Sequence, residues 1–326
     1  MKIKLSANAF LCANIIALTA CGGGSSNSST SPPSTTGNTA PLQTISGVAT
    51  ADTPLQGTII IRDNIGTMKT ATLQTDGHFS FDVSQMKSPF MLRAEGDAND
   101  EHFVLYSAAT DADGNGHFNV NALTNLIVTK TVEQSAETYY QAGNYHNLSF
   151  ESLNNQEAAV QARIQPLLTA ADVPENINLR RQAYPDDWTG MHAVLQILDI
   201  QIDPAHNEAG LRNRLSGQIL SEPLNNNAGN GTFNISTDIT KVLQEMPSIA
   251  SVIKQSVEYN HRTKLMSIIN PNYLNDGINR DAPPRNLDEL KRIPDSWSSK
   301  PIFLHFKIRS YHAGTLSVDI MNRPGF

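Results

Sequence analysis

The sequence predicts a multi-domain α+β protein: a small N-terminal β-sandwich, then a mostly helical domain, then a C-terminal β-hairpin. Three observations predict it. Between residues 42 and 120, short runs of alternating apolar character are separated by turn signals about every 8–12 residues, the spacing of a sandwich. From 121 to 270 the apolar residues recur at helical spacing. Near the end, two alternating runs flank Ala313-Gly314. The 326 residues suit more than one domain. Apolar residues make up 39% and charged residues 17%, enough apolar material for real cores and too little charge for a disordered acidic chain. The net charge is −7. Binding to nucleic-acid phosphates needs clustered Lys and Arg, so nucleic acid is not an expected partner.

The elements follow in order. Residues 1–20 have the layout of a secretory signal: Lys2 and Lys4, then a mostly apolar run from Ala7 to Ala20, too short for a permanent membrane span. Residues 21–41 begin with Cys21 and continue as Gly, Ser, Asn, Thr, Pro and Ala alone. Such a stretch has nothing to bury, so it reads as a flexible tether spanning roughly 25 Å root-mean-square. Of the two cysteines, Cys12 lies in the signal. Cys21 is then the single thiol of the processed chain, and no internal disulfide is expected.

In the sandwich region, 42–120, Ile45-Ser46-Gly47-Val48 opens, Asp52 to Gly57 turns, and Thr58 to Arg62 is a β-branched run. Asn64 to Gly66 turns again, and Met68 to Leu73 leads to the hairpin signal Asp76-Gly77. His78 to Val83 alternates with Phe79, Phe81 and Val83 on one face, and Pro89–Ala94 and His102–Ala108 supply two more strands. Asp111-Ala112-Asp113-Gly114-Asn115-Gly116 then matches the first half of a Ca²⁺ loop, with Phe118 at the apolar eighth position. Asp111, Asp113 and Asn115 are the candidate ligands, with Asp97 or Asp100 as further donors. The twelfth position, where a bidentate Glu would close the site, is Ala122. The competing reading is a Gly-rich turn that ends the sandwich.

In the helical region, 121–270, Leu123, Leu126 and Ile127 open a stripe that runs on to Ala136, Tyr139 and Tyr140. Val160, Ile164, Leu167, Leu168 and Ala171 form a second face, ended by Asp172 to Pro174. Asp187 is the expected N-cap of a helix carrying Met191, Val194, Leu195 and Leu198. Ile200, Ile202, Leu211, Leu215 and Ile219 suggest a short hairpin around Asp203-Pro204, and residues 225–232 a polar loop. Thr237 is expected to cap a helix that Pro247 interrupts, with Ile249, Val252, Ile253 and Val257 continuing on the next one. In residues 271–326, Tyr273 to Asp281 reads as a loop and Leu287, Leu290 and Ile293 as a short helix. Ile302, Leu304, Phe306 and Ile308 then alternate toward a return strand of Leu316, Val318 and Ile320.

Some of these residues resemble known families. Leu18-Thr19-Ala20-Cys21 resembles the lipobox of bacterial lipoproteins. That resemblance implies a diacylglycerol on the Cys21 sulfur, cleavage before Cys21 and acylation of the new amine with a chain such as palmitate. Gly22, rather than Asp, follows the cysteine, which in that family favours the outer membrane. Ser46-Gly47-Val48, Thr53-Pro54-Leu55-Gln56-Gly57 and Thr75-Asp76-Gly77-His78-Phe79-Ser80-Phe81 resemble the carboxypeptidase regulatory-like domain, a small prealbumin-type sandwich. One residue of the family's usual hairpin is missing between Asp76 and the glycine. None of the nine histidines has Glu three residues on, and His-Glu-x-x-His is absent, so no peptidase activity is implied. Asn119 to Val128 resembles a stretch that follows such a sandwich in uncharacterised envelope lipoproteins, and helices followed by a hairpin faintly resemble nuclear-transport-factor-2-like folds.

No G-x-S-x-G, G-x-G-x-x-G or P-loop occurs. His192 with Asp186 and Asp187 is the candidate base with its carboxylates, against a bland reading as a capped helix start. Asp199 and Asp203 are a candidate glycosidase pair. Trp188 and Trp297 are candidate sugar platforms, or plain packing. The expected function is that of an envelope lipoprotein with a non-catalytic binding, adhesion or assembly role, attached to the membrane through Cys21 and meeting an envelope protein or glycan. The alternatives are a lipid-anchored hydrolase with an unrecognised site and a calcium-stabilised adhesin.

Overall fold

The computed structural model describes residues 2–4, 41–98, 101–225, 229–258, 303–312 and 315–323. The lipobox, the tether up to residue 40, the expected loop at 273–281, the expected helix at 287–293 and Trp297 lie outside the described residues. The fold is mixed α+β.

A short strand β1 (Lys2–Lys4) pairs with the C-terminal hairpin, as given below. The first body of strands runs β2 (Thr44–Ala49), β3 (Gln56–Asp63), β4 (Met68–Thr72), β5 (His78–Asp82), β6 (Phe90–Ala98), β7 (Glu101–Ala109) and β8 (Gly116–Val120). They form two sheets, ordered β5-β2-β8 and β4-β3-β6-β7. Period-2 alternation sends Ile45, Phe79, Phe81 and Phe118 from one sheet and Ile59, Ile61 and Leu92 from the other into one shared core. The Asp76-Gly77 turn is where expected, with Gly77 at φ +77, a conformation glycine adopts without steric cost.

Strand β8 departs from the expectation that the 111–116 loop closes the sandwich. It pairs in parallel with β2, Gly47 opposite Phe118. A Cβ on Gly47 would lie 1.7 Å from the Phe118 carbonyl oxygen, so the glycine is required by the close approach of two backbones. Gly47→Ala is therefore expected to destabilise the protein by about 3 kcal/mol, the upper end of overpacking costs, because a backbone oxygen cannot turn aside as a side chain can. A chemical-denaturation midpoint unchanged by the substitution would contradict this register.

Helix α1 (Ala122–Val132) starts at a capping box: the Asn121 side chain accepts from the Thr124 N–H at 3.0 Å and Thr124 Oγ1 from the Asn121 N–H at 2.9 Å. The expected single stripe breaks at Glu133 (φ 53), and α2 (Ala136–Ala142) restarts behind Ser135. Helix α1 packs on β7, so Met91, Tyr106 and Ala108 join Leu123, Leu126 and Ile127 in a second core. This core crosses residue 120, and the β4-β3-β6-β7 sheet carries apolar side chains on both faces.

Helix α3 (Phe150–Ala170) begins ten residues before the stripe read from Val160, capped by Ser149. Helix α4 (Gly190–Ile197) has Thr189, not Asp187, as its N-cap residue; Asp187 instead accepts from the Thr189 N–H at 2.9 Å. The expected hairpin is a three-stranded antiparallel meander of β9 (Leu198–Asp203), β10 (Glu208–Asn213) and β11 (Ile219–Pro223). Helix α5 (Thr237–Glu258) runs through Pro247 without a break, and the Ser236 hydroxyl accepts from the Ile239 N–H at its start. Strands β12 (Phe303–His312) and β13 (Thr315–Arg323) pair antiparallel, β1 lies on the free edge of β13, and Ile308 and Leu316 are buried in the second core. Among the described residues no helix is long and apolar enough to cross a membrane.

Candidate functional site

The oxygen donors of the 111–116 loop are the first sequence-predicted site. Residues Asp111–Asp113 form one turn of 3-10 helix. Asp111 Oδ1 accepts from the Leu42 N–H at 3.0 Å, and Asn115 Oδ1 from the N–H groups of Gln43 and Thr44 at 2.8 and 3.1 Å. Two of the three candidate ligands thus clamp residues 42–44, at the start of β2. The third, Asp113, is buried: Oδ2 accepts from the Thr110 N–H and hydroxyl, both at 2.8 Å, and Oδ1 from Arg180 Nη2 at 3.0 Å.

The loop carbonyls are engaged as well. Those of Asp113, Gly114 and Asn115 all accept from Arg181, whose guanidinium lies over the Phe118 ring at 4.9 Å. Two guanidinium groups thus bind the loop, Arg180 through the Asp113 carboxylate and Arg181 through three main-chain carbonyls. Asp97 pairs with His102 at 2.9 Å at the opposite end of the β6–β7 ladder from this loop. Among the described residues no group of three His, Cys, Asp or Glu side chains is placed to hold a metal. A calcium site filled a hundredfold above its Kd would add about 2.7 kcal/mol of stability. The expected result is no change in Tm between calcium and chelator, read by differential scanning fluorimetry.

Arg180 joins the loop to the helices. Its side chain is fully buried and meets Glu157 Oε2 at 2.9 Å, Asn154 Oδ1 at 2.8 Å and the Ala108 carbonyl at 3.4 Å, besides Asp113. Glu157 in turn accepts from the N–H groups of Leu179 and Arg180. A second buried junction binds the meander to the helices. Glu222 Oε1 accepts from Lys130 Nζ, and Oε2 from Arg163 Nε, both at 2.7 Å.

The second sequence-predicted site does come together. His192 is buried at the start of α4, with Nε2 3.1 Å from Asp186 Oδ1. Its Nδ1 accepts from the Trp188 N–H at 2.8 Å, and the Trp188 and His192 rings are 5.5 Å apart. An imidazole that accepts at Nδ1 carries its proton on Nε2, so the only basic nitrogen is already engaged. Burial pushes the His192 pKa below the usual imidazole value, against the opposing pull of Asp186 and Asp187. The other predicted pair is separated. Asp199 and Asp203 stand four residues apart on β9, roughly 13 Å. That exceeds the carboxylate spacing of glycosidases, about 5–9.5 Å. Asp203 pairs instead with His206 at 2.6 Å.

Besides a small cleft beside Lys130 and Glu133, two clefts among the described residues bear on function. One, about 120 Å³, lies between the sandwich and the meander, with Phe103, Leu105 and Leu195 in its lining alongside Asp52, Asp199 and Arg214. Arg214 pairs with Asp52 at 3.0 Å, and the cleft is small beside ligand pockets of about 300–1,000 Å³. The other, about 500 Å³, is an open groove between α3 and α5, lined by Ala162, Pro166, Ala170, Ile235 and neighbouring Gln and Thr residues, with no titratable side chain. The sequence reading did not single out Glu157, Arg180, Lys130, Arg163, Glu222 or Arg214. For three of them a signal existed: Lys130, Glu157 and Arg163 fall on or beside apolar helix stripes, where an unpaired charge would be costly. No protein-family profile, no curated protein and no solved structure matches the chain.

Proposed function

We propose that the chain is a membrane-anchored lipoprotein of the bacterial cell envelope, held in the outer membrane by acyl chains on Cys21, with a non-catalytic binding or assembly role toward an envelope protein or glycan. The observation that carries this reading is Leu18-Thr19-Ala20-Cys21 at the end of an apolar run, followed by a stretch without a single large apolar residue up to residue 41. Each buried CH₂ of an acyl chain adds about 0.8 kcal/mol, and two chains already anchor stably. The described body begins where this tether ends, with Leu42 to Thr44 clamped by Asp111 and Asn115. In this reading the body is a small β-sandwich, a mostly helical domain from 121 and a C-terminal hairpin. Cleavage before Cys21 would remove Lys2–Lys4, leaving a two-stranded hairpin that is marginal by itself. Burial of Ile308 and Leu316 would then hold it to the body.

The non-catalytic part of the reading rests on the chemistry of the clefts. Asp113, Glu157 and Glu222 are each engaged by guanidinium or ammonium groups, the basic nitrogen of His192 is taken by an amide, and the larger groove contains no group that could exchange a proton. Feeding cells an alkyne-labelled palmitate, then fractionating and taking the intact mass of the mature chain, tests the anchor. The expected product is labelled, starts at Cys21 and sediments with membranes, while Cys21→Ser loses all three properties. Crosslinking from intact cells, with Cys21→Ser as control, is expected to capture a partner only when the chain is anchored.

A further inference from the structure

Residues 185–190 lead into α4 in a conformation to which the His192 and Asp187 side chains both bind: His192 accepts from the Trp188 N–H and Asp187 from the Thr189 N–H. Trp188 has φ 64 and Gly190 φ 49. The left-handed region is unfavourable for a bulky residue and persists only where its surroundings impose it. Here the Trp188 N–H donates to His192 Nδ1 at 2.8 Å, and the proton of neutral His192 faces Asp186 from Nε2 at 3.1 Å. Behind the ring, Gln196 Nε2 lies 3.0 Å from His192 Nε2 and donates to the Asp52 carbonyl, while its own buried Oε1 has no partner, so the Nε2 proton of neutral His192 is directed to Asp186 rather than to the amide. The charged and titratable groups around His192 come from several elements. Asp186 and Asp187 are on the segment itself, and the Tyr184 hydroxyl, bonded to Thr50, precedes it. Asp52, between β2 and β3, is paired with Arg214, which follows β10, and Asp199 on β9 lies 3.9 Å from Arg214. Arg309 is exposed on β12, which packs on α4.

We propose that residues 185–190 form an acid-released latch, closed by neutral His192 through the Trp188 amide and opened when a proton from solvent occupies Nδ1. That proton turns the acceptor into a donor facing another donor. The amide is freed, the backbone leaves its left-handed conformation, and Trp188 moves to the surface beside Asp186 and Asp187. The direction of pH dependence follows from burial, which disfavours the charged ring in the closed form. The closed form takes up the proton less readily than the open one. Its stability is therefore complete above the usual imidazole range and declines as pH falls below it. The inference does not depend on where the protein resides or on its anchor.

The chain has two tryptophans. Trp297→Phe in the full chain, purified in detergent, leaves Trp188 as the only one. Lowering the pH from about 8 to 4.5 is expected to quench and red-shift its fluorescence reversibly, with a midpoint below the usual value of about 6.5 and with far-UV circular dichroism unchanged. His192→Asn keeps an acceptor oxygen near the position of Nδ1 but cannot take up the proton, and is expected to abolish the transition. Asp186→Asn is expected to move the midpoint to lower pH. Hydrogen exchange of the peptide spanning 185–192 in the unsubstituted chain reads the same opening without any mutation. A folded protein with no transition in this range would overturn the proposal. So would a transition that survives His192→Asn, or one that coincides with loss of circular dichroism.

Discussion

Arg180→Met is expected to destabilise the protein by about 3–5 kcal/mol, the range for removing one partner of a buried ion pair. Its guanidinium is wholly buried and meets two carboxylates at once, Asp113 at 3.0 Å and Glu157 at 2.9 Å. Methionine fills much of the volume but leaves both anions without their cation. The loss is not that of a single contact, because these carboxylates also organise backbone: Asp113 holds Thr110, and Glu157 holds the amides of Leu179 and Arg180. The loop, the end of β7 and α3 all meet at this point. A decrease in Tm of roughly 10 °C would correspond to the energy. Restoring neutrality offers a sharper check. Adding Asp113→Asn and Glu157→Gln to Arg180→Met is expected to recover a large part of the loss, because a buried network replaced as a whole costs far less than one left half-empty. If the single substitution costs under about 1 kcal/mol, the surface range for ion pairs, then the junction does not hold the fold together.

The strands were legible because period-2 alternation is local: Phe79, Phe81, Ile59 and Ile61 declare their inward face within a few residues. The parallel strand β8 was not, since its partner β2 lies about seventy residues away and its three-dimensional signature is one glycine, Gly47, whose need becomes visible only when Phe118 is beside it. The break between α1 and α2 was missed because apolar residues recur on both sides of Glu133, although Ala136, Tyr139 and Tyr140 fall out of helical phase with Leu123, Leu126 and Ile127; the left-handed backbone of Glu133 sends the chain into a new helix. Conversely, Pro247 promised a break that did not occur; the chain continues through it in one helix. The loop motif at 111–116 was read as the first half of a Ca²⁺ loop, but of its three candidate side chains only Asp113 meets a positive charge, while Asp111 and Asn115 accept from the backbone amides of residues 42–44. What the one-dimensional pattern could not supply was the source of that charge, Arg180 and Arg181, nearly seventy residues further on. The Asp186–His192 contact was suggested by proximity in sequence. The amide that takes the basic nitrogen depends on a left-handed tryptophan that no residue pattern announces.

The same logic makes Glu222 the second point of greatest sensitivity. Its carboxylate is fully buried at the end of the meander and accepts from Lys130 on α1 and Arg163 on α3, each at 2.7 Å. The two cations are further bound by backbone: Lys130 by the Pro223 carbonyl at 2.7 Å, Arg163 by those of Ser221 and Gly231. Strand β11 is thereby fastened to two helices through one side chain. Glu222→Gln preserves the shape and an acceptor oxygen but removes the charge to which both cations donate, and is expected to cost about 3–5 kcal/mol in denaturant unfolding. Lys130→Met should cost less, because Arg163 still compensates the carboxylate and a methionine stem replaces most of the lost apolar contact. The order of the two effects is the informative measurement. A Lys130→Met variant less stable than Glu222→Gln would mean that the ammonium, through its other contacts, and not the shared carboxylate, is the centre of the junction. The expected order instead follows from geometry: an anion between two cations cannot be replaced by either of them, whereas each cation has the other as a partial substitute.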